Sequence, residues 1–408
     1  MINRLKLFIN NEKSLFNENK IKYIFSTIIL ITIGLLSFML PSLSETSLHK
    51  IPLLFAGFLA IIIFVYLLLY QKIFIDKYII SMLLFCLTII ISSLLNDPRQ
   101  IGQTEFLLTG IFVMLFEFMA SKENKNKSFY SIYIGLCFFL LYFLITYFKE
   151  IISLDFKRLG SQFGNENGVG HYLCLGYIIN LYLSITKKNY LLLITLPFFA
   201  LFGALTGSKL FLIMLVLVTI AFIIMFFGKK KWYLSLTIVI VGFAGVIGLL
   251  QLSMFSTLKA RLLDMINALI GNSSTIDMST ISRGNMFFEG IYLFTYKPIL
   301  GWGANGFALN AAYHTYSHSA ISETLCNFGV IGFTCFFAPI VMGFISNQDN
   351  DNKKLKIMII IFMVCISVFG MSYSSKVYYI ALAILCACSD NYNESKREKW
   401  LYYRKQEC

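Results

Sequence analysis

Charge is scarce in this chain: of 408 residues only 13% are Asp, Glu, Lys or Arg, with 21 acidic residues against 34 basic ones. Proline is rarer, at 6, and histidine occurs 4 times. So few charges cannot coat a soluble globule, and so few prolines argue against linkers and disordered domains. No Gly-Lys-Ser/Thr sequence closes a glycine-rich loop, which weakens any phosphate-loop reading. The Glu-containing zinc pattern of metalloproteases is missing too. Of the 9 cysteines, eight sit inside apolar runs and the ninth is Cys408 in the tail, so no disulfide or metal framework is indicated.

What the chain has instead is apolar length. Hydrophobic residues make up 58% of it, and the mean hydropathy is +0.74. Runs of about 20 apolar residues can be placed at 23–40, 51–70, 74–95, 101–119, 129–148, 168–186, 190–206, 208–227, 232–255, 319–345, 357–371 and 374–390. The expectation is an all-α polytopic membrane protein of about twelve spans, a single integral membrane domain over 1–408 with no separate soluble domain. The first 22 residues are basic and mixed and carry no cleavable signal pattern. Of the 34 basic residues, 23 fall in the short segments 4–22, 72–77, 122–127, 187–188, 229–231, 353–356 and 396–405. That alternation predicts both termini on the cytoplasmic side. Much of the +13 net charge is therefore topology, and no nucleic-acid partner is expected.

Two outer segments then stand out, 149–167 and 256–318, the second being the long loop of the protein. In it Leu258, Leu262, Met265, Ile266, Leu269 and Ile270 recur at helical spacing, as in a helix lying in the interface plane. A second helix is expected from Ser282 as N-cap to just before Pro298. The partly helical loop would fold back over the membrane as a lid. Gly301, Gly303 and Gly306 suit a tight turn or a close backbone approach, with direct phosphate contact as the alternative.

The polar side chains at this face have the types that anionic chemistry needs. Arg158 and Arg283 are suited to grip phosphate oxygens in bidentate fashion, the bland alternative being arginines that snorkel to headgroups. Asn165 and Asn167 follow Arg158 closely, and Lys209 stands at the outer start of a span, placed to pair with an acid or an anionic ligand. His318, shortly before Glu323, is placed to take a proton from an attacking hydroxyl. His314, four residues earlier, is its competitor for that role, and a metal pair with His318 is the weaker reading. His171 at the start of a span reads as structural. Glu105 lies near an outer end, where buried acids are functional or paired. Glu117 is close enough to the cytoplasmic end to reach water.

Taken together, Arg158-x-Gly160-x-x-Phe163-x-Asn165-x-Asn167, Arg283, Pro298-x-x-Gly301-x-Gly303-x-x-Gly306-Phe307 and His318-x-x-x-x-Glu323-x-x-x-x-x-Gly329-Val330-Ile331-Gly332 resemble the O-antigen polymerase and ligase superfamily. The resemblance implies a metal-independent glycosyltransferase of the GT-C type that needs no cofactor. Its donor would be a glycan on undecaprenyl diphosphate at the outer face of the cytoplasmic membrane. Arg158 and Arg283 would hold the diphosphate, His318 would act as base, and a chain-length regulator protein is a possible partner besides membrane lipids. Asn165, Asn167, Gly301, Gly303, His314, Glu323 and Lys209 complete the expected substrate site. The chain departs from the family pattern at Glu166, where Pro is frequent, and at Ser319, where Asn is frequent.

Four functions remain to be weighed at this point. A polymerase joins repeat units for O-antigen or capsule, whereas a ligase moves finished glycan to lipid A core or protein. A flippase or transporter would also have about twelve spans, but it predicts charge near the midplane and related halves, and neither is apparent here. A glycosyltransferase of the shape-and-division class would rest on Asp264 or Asp277, which lie in no recognisable motif.

Overall fold

In hydrocarbon every backbone amide must find its partner inside the protein, and a long apolar run does so as a helix. The computed structural model describes residues 2–43, 50–70, 73, 75–97, 103–153, 158–163, 165–227, 278–346, 350–370 and 373–389, with isolated positions between 233 and 267. Among them no strand occurs. The helices are α1 (Ile2–Leu43), α2 (Lys50–Tyr70), α3 (Lys77–Asn96), α4 (Gln103–Met119), α5 (Lys122–Thr146), α6 (Phe148–Ser153), α7 (Glu166–Leu181), α8 (Leu196–Leu205) and α9 (Lys209–Phe227). Then follow α10 (Met278–Tyr296), α11 (Gly306–Asn310), α12 (Ala320–Ile345), α13 (Asn350–Phe369) and α14 (Lys376–Ser389).

Seven of the described helices are long and apolar enough to cross a membrane. Shorter apolar helices add Tyr190–Leu205, whose first turn is a 3₁₀ helix, and Lys376–Ser389. The span expected at 232–255 and the interfacial helix expected at 258–270 fall largely outside the described residues. The helix expected to start at Ser282 starts earlier, at Met278, and ends at Tyr296 before Pro298 as expected. Glu117 does not reach water: it is fully buried in α4.

Because consecutive spans reverse direction, residues at alternate helix ends collect at the two ends of the bundle. At one end Lys125 reaches Ala387 O at 3.5 Å, Lys356 donates to Ser346 O at 2.6 Å, and Lys187 lies 5.6 Å from the Tyr182 ring. At the other end the C-termini of α3, α8 and α13 meet the N-termini of α7, α9 and α12. Leu159 N donates to Leu205 O at 3.1 Å, and Ser319 Oγ donates to Ser367 O at 3.4 Å.

Two close approaches shape the bundle. Where α1 crosses α5, a Cβ on Gly135 would stand 2.1 Å from Gly34 O, and the Ser131 hydroxyl donates to Leu30 O. Small residues let two backbones meet this way in a membrane. Beside the crossing runs an apolar furrow of about 730 Å³ between the two helices, reaching from Lys127 to Ile145.

The second approach breaks a helix. Gly329 in α12 has φ 63° and ψ −167°, a conformation essentially reserved for glycine. The break frees the amides of Val330 and Ile331 and the carbonyls of Cys326 and Asn327, which a continuous helix would pair with one another. Each finds a substitute on the strip 298–303. Val330 N donates to Pro298 O at 2.8 Å and Ile331 N to Ile299 O at 3.4 Å, while Cys326 O accepts from Trp302 N at 2.9 Å and Asn327 O from Gly303 N at 2.8 Å. The break lies nine residues into α12, about 14 Å along its axis. Non-helical backbone is tolerated at that depth because protein surrounds it and satisfies its polar groups. Ser92 and Asn96 of α3 hold the strip from the other side, Asn96 Nδ2 donating to Gly301 O at 3.1 Å.

A Cβ on Gly329 would meet Ile299 O at 2.3 Å, so Gly329→Ala combines backbone strain with a backbone clash. The expected result is a loss of about 3 kcal/mol or more, seen as a lowered thermal transition in detergent. Gly110→Ala in α4, where a Cβ would meet nothing within 4 Å, should leave the transition unchanged.

Candidate active site at one end of the bundle

Arg158 is built into a junction between two helix ends. Asn165 caps α7, its side chain accepting from Asn167 N at 2.9 Å. This sets Asn167 so that its Oδ1 accepts from Arg158 Nη2 at 3.4 Å. Arg158 Nε donates to Thr206 O at 2.9 Å, and Nη1 lies 3.6 Å from Glu166 Oε2. Gly207, at φ 64°, turns the chain under the guanidinium stem, where a Cβ would stand 3.1 Å from Arg158 Cγ. Ser208 then caps α9, accepting from Phe211 N at 3.3 Å, so that Lys209 opens that helix beside Arg158's turn.

The second cluster surrounds His318. The residue is held at φ 56°, a left-handed conformation unusual for a side chain of this size. Its ring lies on Tyr316, with centroids 4.2 Å apart. Ser317 Oγ donates to Ser319 O at 2.8 Å, and Ser319 N donates back to Ser317 Oγ at 3.2 Å. Glu323, only 6% exposed, accepts from Ser317 N at 3.1 Å through Oε2. Arg283 on α10 stands within electrostatic reach of the imidazole. Burial, with Arg283 as the lesser cause, lowers the His318 pKa to about 4, so the ring is neutral near pH 7.

The other expected residues are distributed unevenly. His314 is exposed, at φ 49°, with Nδ1 3.4 Å from Ala308 O. Gly301 and Gly303 lie in the strip beneath α12, their amides donating to Lys297 O and Asn327 O, so both are used within the fold. Asn165 and Asn167 likewise have intramolecular partners. His171 is buried in α7 with neither ring nitrogen hydrogen-bonded. The two clusters share one end of the bundle through α13. Ser319 meets Ser367, and a Cβ on Gly370 would lie 3.0 Å from Leu210, next to Lys209. The N-termini of α7, α9 and α12 are among those at this end, and their dipoles favour anions.

Sequence reasoning missed Tyr316, Ser317 and Asn327. Asn327 joins four elements: Oδ1 accepts from Phe307 N at 2.6 Å, Nδ2 donates to Tyr373 OH at 3.0 Å, and its carbonyl takes Gly303 N and Ser92 Oγ. Its only signal in the sequence is an amide side chain in an otherwise apolar run. Among the described residues, no group of three or more His, Cys, Asp or Glu is arranged to hold a metal ion.

Glu166 competes for Arg158 with any anionic ligand. Glu166→Gln should tighten binding of an anionic substrate about three-fold, a modest effect because the pair is partly exposed and such pairs are weak. The check is the affinity for inorganic diphosphate measured at low salt, where screening is least.

Residues 191–337, 147 of the 408, match the O-antigen ligase family. The matched stretch holds Lys209, Arg283, His314, His318 and Glu323, and it also holds Thr206, to which Arg158 is bonded. Comparison with curated proteins gives no match. Over that stretch the chain is similar to the O-antigen ligase family, and seven of its described helices are long and apolar enough to cross a membrane.

Proposed function

We propose that the protein is a polysaccharide polymerase, joining oligosaccharide repeat units carried on undecaprenyl diphosphate at the outer face of the cytoplasmic membrane. What supports this reading is the half-buried His318, held on Tyr316 with Arg283 in electrostatic reach of its ring, at the end of the bundle where Arg158 and Lys209 also lie. The acceptor sugar hydroxyl attacks the anomeric carbon of the donor. The bond from that carbon to the diphosphate oxygen breaks, and the diphosphate leaves with the electron pair. His318 takes the hydroxyl proton. Arg158 and Arg283 offset the charge on the leaving group, as preorganised cations do in a site shielded from water. The furrow between α1 and α5 ends near Phe163 of the Arg158 loop, whose ring stands 5.6 Å from Tyr142, so the isoprenoid tail has an apolar track leading from the diphosphate.

The second reading, a ligase, follows from the name of the matched family. Deleting the gene and resolving surface polysaccharide by length separates the two. A polymerase leaves single repeat units at the surface, whereas a ligase leaves long polymer that is never attached. Unchanged polysaccharide would contradict both.

A further inference from the structure

Glu323 sits one turn inside α12 and Ser317 just outside it, with His318 between them in the chain. A buried carboxyl in a membrane helix needs a partner, and the partner here is the turn that carries the imidazole. Oε2 of Glu323 accepts from both the amide and the hydroxyl of Ser317, at 3.1 and 3.2 Å. The same hydroxyl shares its one proton with the carbonyl of Ser319, at 2.8 Å, and accepts from Ser322 Oγ at 3.2 Å. Residues on both sides of His318 are thus tied to one point.

The tie has something to oppose. His318 occupies φ 56° without glycine's freedom, a conformation that persists where surrounding bonds determine it. Ser317, Ser319, Ser322 and Glu323 are all buried, at 1%, 3%, 0% and 6% exposure, whereas His318 is only half-buried. The knot lies within the protein and His318 is partly exposed. Ser319, the N-cap of α12, makes no side-chain cap bond to the helix, so nothing in ordinary capping accounts for the arrangement.

We infer that Glu323 and Ser317 are positioning residues that hold His318 in its left-handed turn beside Arg283, and that Glu323 acts as a hydrogen-bond acceptor without touching substrate. This rests on the base role given to His318 above. An amide oxygen accepts the same two bonds as a carboxylate oxygen, and this separates positioning from direct action on substrate.

The test uses full-length protein in lipid bilayers and lipid-linked glycan extracted from cells lacking the gene. Glu323→Gln should keep kcat within about three-fold of wild type, because both bonds survive. Glu323→Ala should lower kcat about 100-fold, as small misplacements of reacting groups do, with donor KM nearly unchanged. Ser317→Ala, which keeps Glu323 and the amide bond but loses the hydroxyl link to Ser319, should fall in between; it decides the matter if the alanine at 323 prevents folding. A Gln variant as inactive as the Ala variant would overturn the inference, because the carboxylate itself would then be required. Wild-type kcat in Ser317→Ala would overturn it as well. Wild-type protein inactive on this donor would instead bring down the underlying function.

Discussion

His318→Ala in the reconstituted protein lowers the rate of glycosidic bond formation by about 10²–10⁴-fold, the usual contribution of a positioned base. Donor KM is expected to stay close to the wild-type value, since the cations proposed to bind diphosphate are untouched. The wild-type pH profile carries a second signature. The folded-state pKa of His318 is lowered to about 4 by burial and then by Arg283. The ring is therefore neutral, and able to accept a proton, throughout pH 5–8. As pH falls, activity in kcat/KM persists through the ordinary imidazole range near 6.5 and is lost only as pH approaches 4. The same sign applies to stability: the unfolded chain binds a proton here between about 6.5 and 4 and the folded chain does not, so acid destabilises the fold in that window. An acidic limb at pH 6 to 7 would contradict the environment described for the ring.

Arg283→Ala has the second large effect, a loss of about 10²–10³-fold in kcat, comparable to deleting one electrostatic donor from an active site. Arg283→Lys recovers only part of it, because an ammonium replaces a planar fork by a point charge. Removing the guanidinium also removes one of the two causes that lower the His318 pKa. The acidic limb of the alanine variant therefore moves to higher pH, while burial, the larger cause, keeps it below 6.5. A purely structural role for Arg283 would not move that limb. Arg158→Ala is the contrasting case. That guanidinium is already bonded to Thr206 and Asn167 and paired with Glu166, so its removal disturbs the junction of α7 with α8 as well as any ligand.

Much of the bundle was readable from hydropathy, because a helix in hydrocarbon announces itself by apolar length alone. The starts of α3, α7, α9 and α12 fall within a few residues of the expected spans. Pro298 marks the end of α10 for the reason expected, while the start of α10 at Met278 overrides the serine at 282 that looked like a cap. The break at Gly329 was hidden. A glycine inside an apolar run reads as a tolerated helix residue, and nothing local says that a strip 30 residues upstream supplies the missing hydrogen bonds. For the same reason Gly301 and Gly303 were legible as a close approach, but not as an approach to Asn327. The types of the site residues were legible and their partners were not. The bond from Ser317 to Glu323 was hidden because sequence position cannot reveal it, and Glu117 looked wet because distance along a helix does not report what packs around it.

In the proposed reaction glycan is transferred with departure of a diphosphate held by guanidinium groups. The measurement that tests it most directly uses purified protein in vesicles supplied with undecaprenyl-diphosphate-linked repeat units. Glycan length and free undecaprenyl diphosphate are followed together. Both are expected to rise in step, one diphosphate released for each bond formed, and to fall together in His318→Ala and Arg283→Ala. Movement of the lipid-linked glycan across the bilayer with no new glycosidic bond and no released diphosphate would contradict it, and would make the protein a transporter.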